Sequence, residues 1–171
     1  MPCQAARCNV DHADPRDFFL ADIVDPATRS RMMSGIRARN TRPEMRLRRE
    51  LHALGFRFRL HAKDLPGKPD LVLKKHNAAI FVHGCFWHRH RDCRLASTPA
   101  SNSGFWADKF ARNVERDMQA TAALRNKGWR VAVVWECGLR RKDIAIVMEQ
   151  ARQWLLSDDP YIELPRSREV S

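Results

Sequence analysis

The sequence predicts an α/β domain with a mixed central sheet flanked by helices, in the order helix, three strands, helix, strand, helix. Three observations carry this. At 171 residues the chain is the size of one domain. With 44% hydrophobic and 30% charged residues, its composition is globular rather than disordered. Short apolar runs bounded by Gly, Pro and Asn alternate with stretches of helical period. Three consecutive strands, then a helix and a fourth strand, imply a sheet that mixes pairing directions.

Residues 1–25 mix Pro2, Pro15, Asp11, Asp14 and Asp17 with no sustained period and read as a flexible tail. Residues 26–156 are assigned to the domain, with 26–42 as a basic arm, and 157–171 to a C-terminal tail. Eight arginines lie between Arg29 and Arg49, among them Arg31, Arg37, Arg46 and Arg48, opposed only by Glu44. So few acids favour phosphate contact over an ordinary solvated face.

A helix is predicted over Thr41 to Leu54. Thr41 and Glu44 have capping-box spacing, Pro43 suits a first turn, and Leu47, Leu51 and Leu54 recur at helical intervals before Gly55. Phe56, Phe58 and Leu60 alternate with Arg57 and Arg59, a half-buried strand. A turn over Asp64 to Pro69 leads into a strand at Asp70 to Leu73. Lys75-His-Asn turns again into Ala78 to His83, apolar enough to be central. A Cys/His-rich loop runs to about Ser103. Phe105 to Lys127 reads as a long helix closed by Gly128, Trp129 to Trp135 as a strand, and Asp143 to Leu156 as the last helix. Trp129 and Trp135 read as core.

The 31 basic and 20 acidic residues leave a net charge of +11. That excess favours a polyanionic partner. No apolar run reaches the roughly 18 residues of a membrane span, and Met1 to Asp14 holds no signal-like stretch. A cytoplasmic protein without a membrane role is expected. Five cysteines in that compartment point to metal or reduced thiols.

Cys85, His88, His90 and Cys93 fall within nine residues, and Cys137 follows the predicted strand ending near Trp135. If the third and fourth strands are parallel neighbours, Cys85 and Cys137 emerge at one end of the sheet. Cys85, His90, Cys93 and Cys137 would then form a closed Cys₃His zinc site, structural because four protein ligands leave no place for water. A neighbouring histidine, His88, stays open as the alternative to His90. Cys3 and Cys8 have no supported metal spacing.

Metal-dependent phosphodiester cleavage needs carboxylate oxygens and a group to manage the proton of water. Asp70 opens a strand after a Gly-Lys-Pro turn. A basic helix with Glu44, then Asp70, then a strand ending at His83 follows the order of the restriction-endonuclease-like core. The acid and lysine usual on that core's third strand are missing from Phe81-Val-His-Gly.

The run Val82-His-Gly-Cys-Phe-Trp-His88, with His90 and Cys93, resembles the very short patch repair endonucleases, a divergent branch of the PD-(D/E)xK superfamily. Ala27 to Met33, Leu65 to Asp70, Phe105-Trp, Asn113 to Asp117, Gly128 to Val131 and Val134 to Leu139 resemble further blocks of that family in order. The resemblance implies Asp70 and the Val82 carbonyl as magnesium ligands, with His88 handling the proton. It places His83 and Glu44 in hydrogen bonds around the hydrated metal. It also implies that Phe86, Trp87 and Trp106 enter DNA from the major groove beside a T·G mismatch, while an arm bearing Met33 and Ile36 meets the minor groove. Exposed aromatics on a zinc-pinned loop of a basic protein suit insertion into a base stack.

The expected activity is therefore a magnesium-dependent nick in the thymine strand at T·G mismatches left by deamination of 5-methylcytosine. A bacterial monomer is expected, using its activity at the nucleoid and linked to a cytosine-5 DNA methyltransferase and to repair machinery. The rivals are a restriction-type nuclease on matched DNA and a non-catalytic, zinc-stapled DNA-binding protein.

Overall fold

Residues 27–28, 39–140 and 142–166 are described in the computed structural model. Helix α1 (Arg42–Ala53) starts where the capping spacing places it. The Thr41 hydroxyl accepts from the Glu44 amide at 3.4 Å, and Pro43 sits in the first turn. Leu47 and Leu51, one turn apart, are fully buried. Gly55, at φ +87°, turns the chain out of the helix.

Strands β1 (Arg59–Leu60), β2 (Leu71–Leu73) and β3 (Ala78–His83) pair antiparallel in sequence order. Helix α2 (Ser103–Asn126) carries the chain to β4 (Arg130–Trp135), which lies parallel to β3. A short 3₁₀ turn (Glu136–Leu139) leads to α3 (Ile144–Leu156) and then β5 (Tyr161–Leu164), parallel to β4. The five strands form one mixed sheet in the order β1-β2-β3-β4-β5.

Leu71, Leu73, Ile80 and Val134 pack with α1 and α3 on one face, through Leu47, Leu51, Ala151 and Trp154. Ala79, Phe81 and Val131 pack with Leu124 of α2 on the other. Strands covered on both faces read as unbroken apolar runs, which is why β3 and β4 stand out in the sequence.

Three expectations need correction. The strand expected over 56–60 keeps only Arg59–Leu60 in the ladder, both exposed, while Phe56 is buried in the core. Ser157 onward is not all tail, since Tyr161–Leu164 completes the sheet with Ile162 and Leu164 buried. Two inward residues between Pro160 and Pro165 are too few for a periodic signal. Arg48, counted among the phosphate-seeking arginines, is buried against Glu44 at 2.8 Å. Among the described residues no helix is long and apolar enough to cross a membrane.

Candidate active site

The pairing of β2 with β3 stops at Ile80, so β3 runs on alone against β4 to His83. There the Val82 amide donates to Asp70 Oδ2 at 2.8 Å in place of a strand partner. A strand residue's amide and carbonyl share a side, so the Val82 carbonyl faces Asp70 too. Asp70 Oδ1 is left for another partner. Burial, foremost, raises the Asp70 carboxyl to about 6, against the opposing pull of the Val82 amide; nearby Glu44 raises it further. A half-buried carboxylate oxygen beside a strand-end carbonyl is a donor set that fits a hard divalent cation.

Asp70 lines a cleft of about 660 Å³ with Glu44, His83, Trp87, His88, Asn113 and Asp117, among others. Opposite it, His88 Nδ1 lies 2.5 Å from Asp117 Oδ2. Asp117 is on the inward face of α2, one turn after Asn113, whose amide donates to the Trp87 carbonyl at 3.0 Å. His83 stacks on His88 at 3.9 Å and 9°. Burial first, then the like charge of His88, lowers the His83 imidazole to about 3, so it is neutral. Glu44 is buried on α1, accepting from the Thr41 hydroxyl, the Asn40 amide and the Arg48 guanidinium.

The parallel β3–β4 register sets His83 opposite Trp135 and so delivers Cys85 and Cys137 to one end of the sheet. Cys85, His90, Cys93 and Cys137 have ligand atoms within 4.8 Å of one another. His90 Nδ1 is 3.6 Å from Cys85 Sγ and 3.3 Å from Cys137 Sγ. His90, not His88, lies with the sulfurs, its ring stacked on Trp135 at 4.3 Å. Burial pushes the Cys85 and Cys137 thiols up, so thiolates there call for a cation, and three sulfurs with one imidazole suit zinc.

The aromatic loop departs from expectation. Trp106 is only 7% exposed, packed against Phe110 and Phe86, while Phe105 beside it is 56% exposed. Trp106 and Phe110 stand one turn apart on α2 and bury together. Phe86 and Trp87 are half-buried, edge to face at 5.0 Å, with Lys109 Nζ 5.3 Å above the Trp87 ring. Met33 and Ile36 lie outside the described residues.

Sequence reasoning gave no role to Asp117 or His61, and assigned Arg48 to phosphate contact rather than to this site. Asn113 and Asp117 share one helical face, a signal available in advance. His61 and Arg48 carry no local signal; they meet through the fold.

A family model described as DNA mismatch endonuclease Vsr matches residues 21–95. The chain is 48% identical to the type II nicking enzyme V.XorIIP of Xanthomonas oryzae, over 70% of this chain and 88% of that protein. It is 41% identical to the DNA mismatch endonuclease Vsr of Escherichia coli, over 81% of this chain and 90% of that one. A solved homing endonuclease catalytic domain is 22% identical with a TM-score of 0.48, covering 68% of this chain and 96% of that domain.

Proposed function

The chain belongs to the Vsr family of DNA mismatch endonucleases, a nuclease family acting on DNA, and from that premise we propose that it nicks the thymine strand at T·G mismatches. The mismatches in question arise from deamination of 5-methylcytosine, and the reaction requires magnesium. The observation that carries this reading is one cleft lined by both Asp70, with Val82 bonded to it, and the His88–Asp117 pair.

Asp70 Oδ1 and the Val82 carbonyl would hold the magnesium. When bound, the ion polarises the scissile phosphate and offsets charge built up in the transition state. With His88 Nδ1 turned to Asp117, Nε2 is the nitrogen left to take the proton of the attacking water. His83, neutral and stacked, keeps the His88 ring from rotating away. Glu44 faces the cleft and accepts from water around the metal. Cys85, His90, Cys93 and Cys137, close enough to share one ion, would hold a structural zinc that pins the loop. Phe86 and Trp87 wedge into the base stack where a mismatch makes opening cheap, and Trp106 is the buried platform behind them. The net charge of +11 supports binding to duplex DNA. The protein acts as a monomer in the bacterial cytoplasm, on mismatches that arise where a cytosine-5 methyltransferase has placed 5-methylcytosine.

A denaturing gel with each strand of matched and T·G duplexes separately labelled tests the reading. One magnesium-dependent cut in the thymine strand of the mismatched duplex alone is expected. Cuts in both strands of matched DNA would make the protein a restriction-type nuclease. Binding with no cleavage by zinc-loaded protein would make it a binding module.

A further inference from the structure

We propose that His61 is a positioning residue for Asp70, held by buried Arg48 at Nε2 so that its Nδ1–H faces the carboxylate. The proposal rests on the reading of Asp70 as the metal-holding group.

Arg48 lies on the inner face of α1 at 7% exposure. One terminal nitrogen, Nη1, donates to Asn40 Oδ1 at 2.7 Å. The other, Nη2, is 2.8 Å from Glu44 Oε2 and 3.1 Å from His61 Nε2. A guanidinium offers only N–H donors and keeps its proton at any physiological pH. The His61 Nε2 it meets must therefore present a lone pair, so the imidazole proton resides on Nδ1. That nitrogen lies 4.0 Å from Asp70 Oδ1, the oxygen not taken by the Val82 amide. At that distance the pair makes an electrostatic contact, longer than a hydrogen bond.

The same geometry rules on a second possibility. Glu44, His61 and Asp70 have ligand atoms within 4.8 Å of one another, which is metal-like spacing. Arg48 already lies against Glu44 Oε2 and His61 Nε2, placing a fixed positive charge where an ion would sit. The remaining His61 nitrogen is protonated and has no lone pair to give. His61 is thus a donor toward Asp70 and not a ligand. Arg48 Nε has no hydrogen-bond partner although it is buried. The arginine is held by its two terminal nitrogens alone.

Two measurements on the full-length, zinc-loaded protein test this. The first is a long-range ¹H–¹⁵N spectrum of the imidazoles in magnesium-free buffer at pH 7.5, with the His61 signals identified by their loss in His61→Gln. A single Nδ1–H tautomer is expected in the wild type, and an Nε2–H population in Arg48→Met. Wild-type His61 found as the Nε2–H form or as a cation overturns the proposal, even if Arg48→Met does not fold.

The second is the magnesium dependence of nicking. His61→Leu should raise the magnesium needed for half-maximal rate about tenfold, the loss of roughly one polar contact to the carboxylate. His61→Gln, which can accept from Arg48 and donate toward Asp70, should recover most of it. An unchanged requirement in His61→Leu, or no recovery in His61→Gln with zinc content intact, overturns the positioning role. Full nicking by Asp70→Asn would instead defeat the metal reading, and the tautomer would still stand or fall on the spectrum.

Discussion

Replacing Asp70 with Asn should stabilise the magnesium-free protein while abolishing nicking. The Asp70 carboxyl rises from 3.8 to about 6 on folding, chiefly because burial opposes its charge. A carboxyl raised on folding binds more protons folded than unfolded between those values, so stability falls as pH rises through that window. Its favourable contribution is fully present below about pH 4 and is lost above about pH 6. Roughly two pH units correspond to about 3 kcal/mol as an upper bound. Asn carries no charge, and its oxygen still accepts from the Val82 amide. At pH 7.5 the variant should gain about 2–3 kcal/mol, a midpoint shift on the order of 5–10 °C for a chain of this size. At pH 4 the gain should nearly vanish. The assay is thermal unfolding at both pH values without chelator, so that zinc is kept. Added magnesium should raise the wild-type midpoint and leave the variant's unchanged. A variant no more stable than wild type at pH 7.5, or equally stabilised at both pH values, would refute the burial argument. Retained nicking would refute the role of Asp70 at the metal.

Asp117→Asn removes a charge-assisted hydrogen bond worth about 1.5–3 kcal/mol, so single-turnover nicking should slow by about 10–100-fold with DNA affinity unchanged. A loss seen only in affinity would place Asp117 outside the chemistry. Cys137→Ala leaves three ligands, and zinc content and the unfolding midpoint should fall together, by on the order of 3 kcal/mol or more in stability. Full zinc in that variant, measured by metal analysis, would move the ligand elsewhere. Trp87→Ala should weaken binding to a T·G duplex about tenfold or more and barely change a T·A duplex, because base–aromatic stacking is worth roughly 1–3 kcal/mol. Equal losses in paired titrations would reduce Trp87 to packing.

Local features of the chain determined a good deal. The capping of α1 by Thr41, the bounds of β3 and the apolar run of β4 are legible because each depends on neighbours a few residues away. The Cys/His spacing and the parallel β3–β4 pair together place Cys85, His90, Cys93 and Cys137 at one edge. The tertiary structure alone decided three things. It made Tyr161–Leu164 a strand, because its pairing energy comes from β4 rather than from its own composition. It buried Trp106, because part of its packing comes from a loop at Phe86 some 20 residues earlier. It turned Arg48 from a surface charge into the partner of His61, because α1 and the turn before β2 meet only when the sheet closes beneath them. A residue's type limits what it can donate or accept, but the partner it finds is set by chain that is distant in sequence.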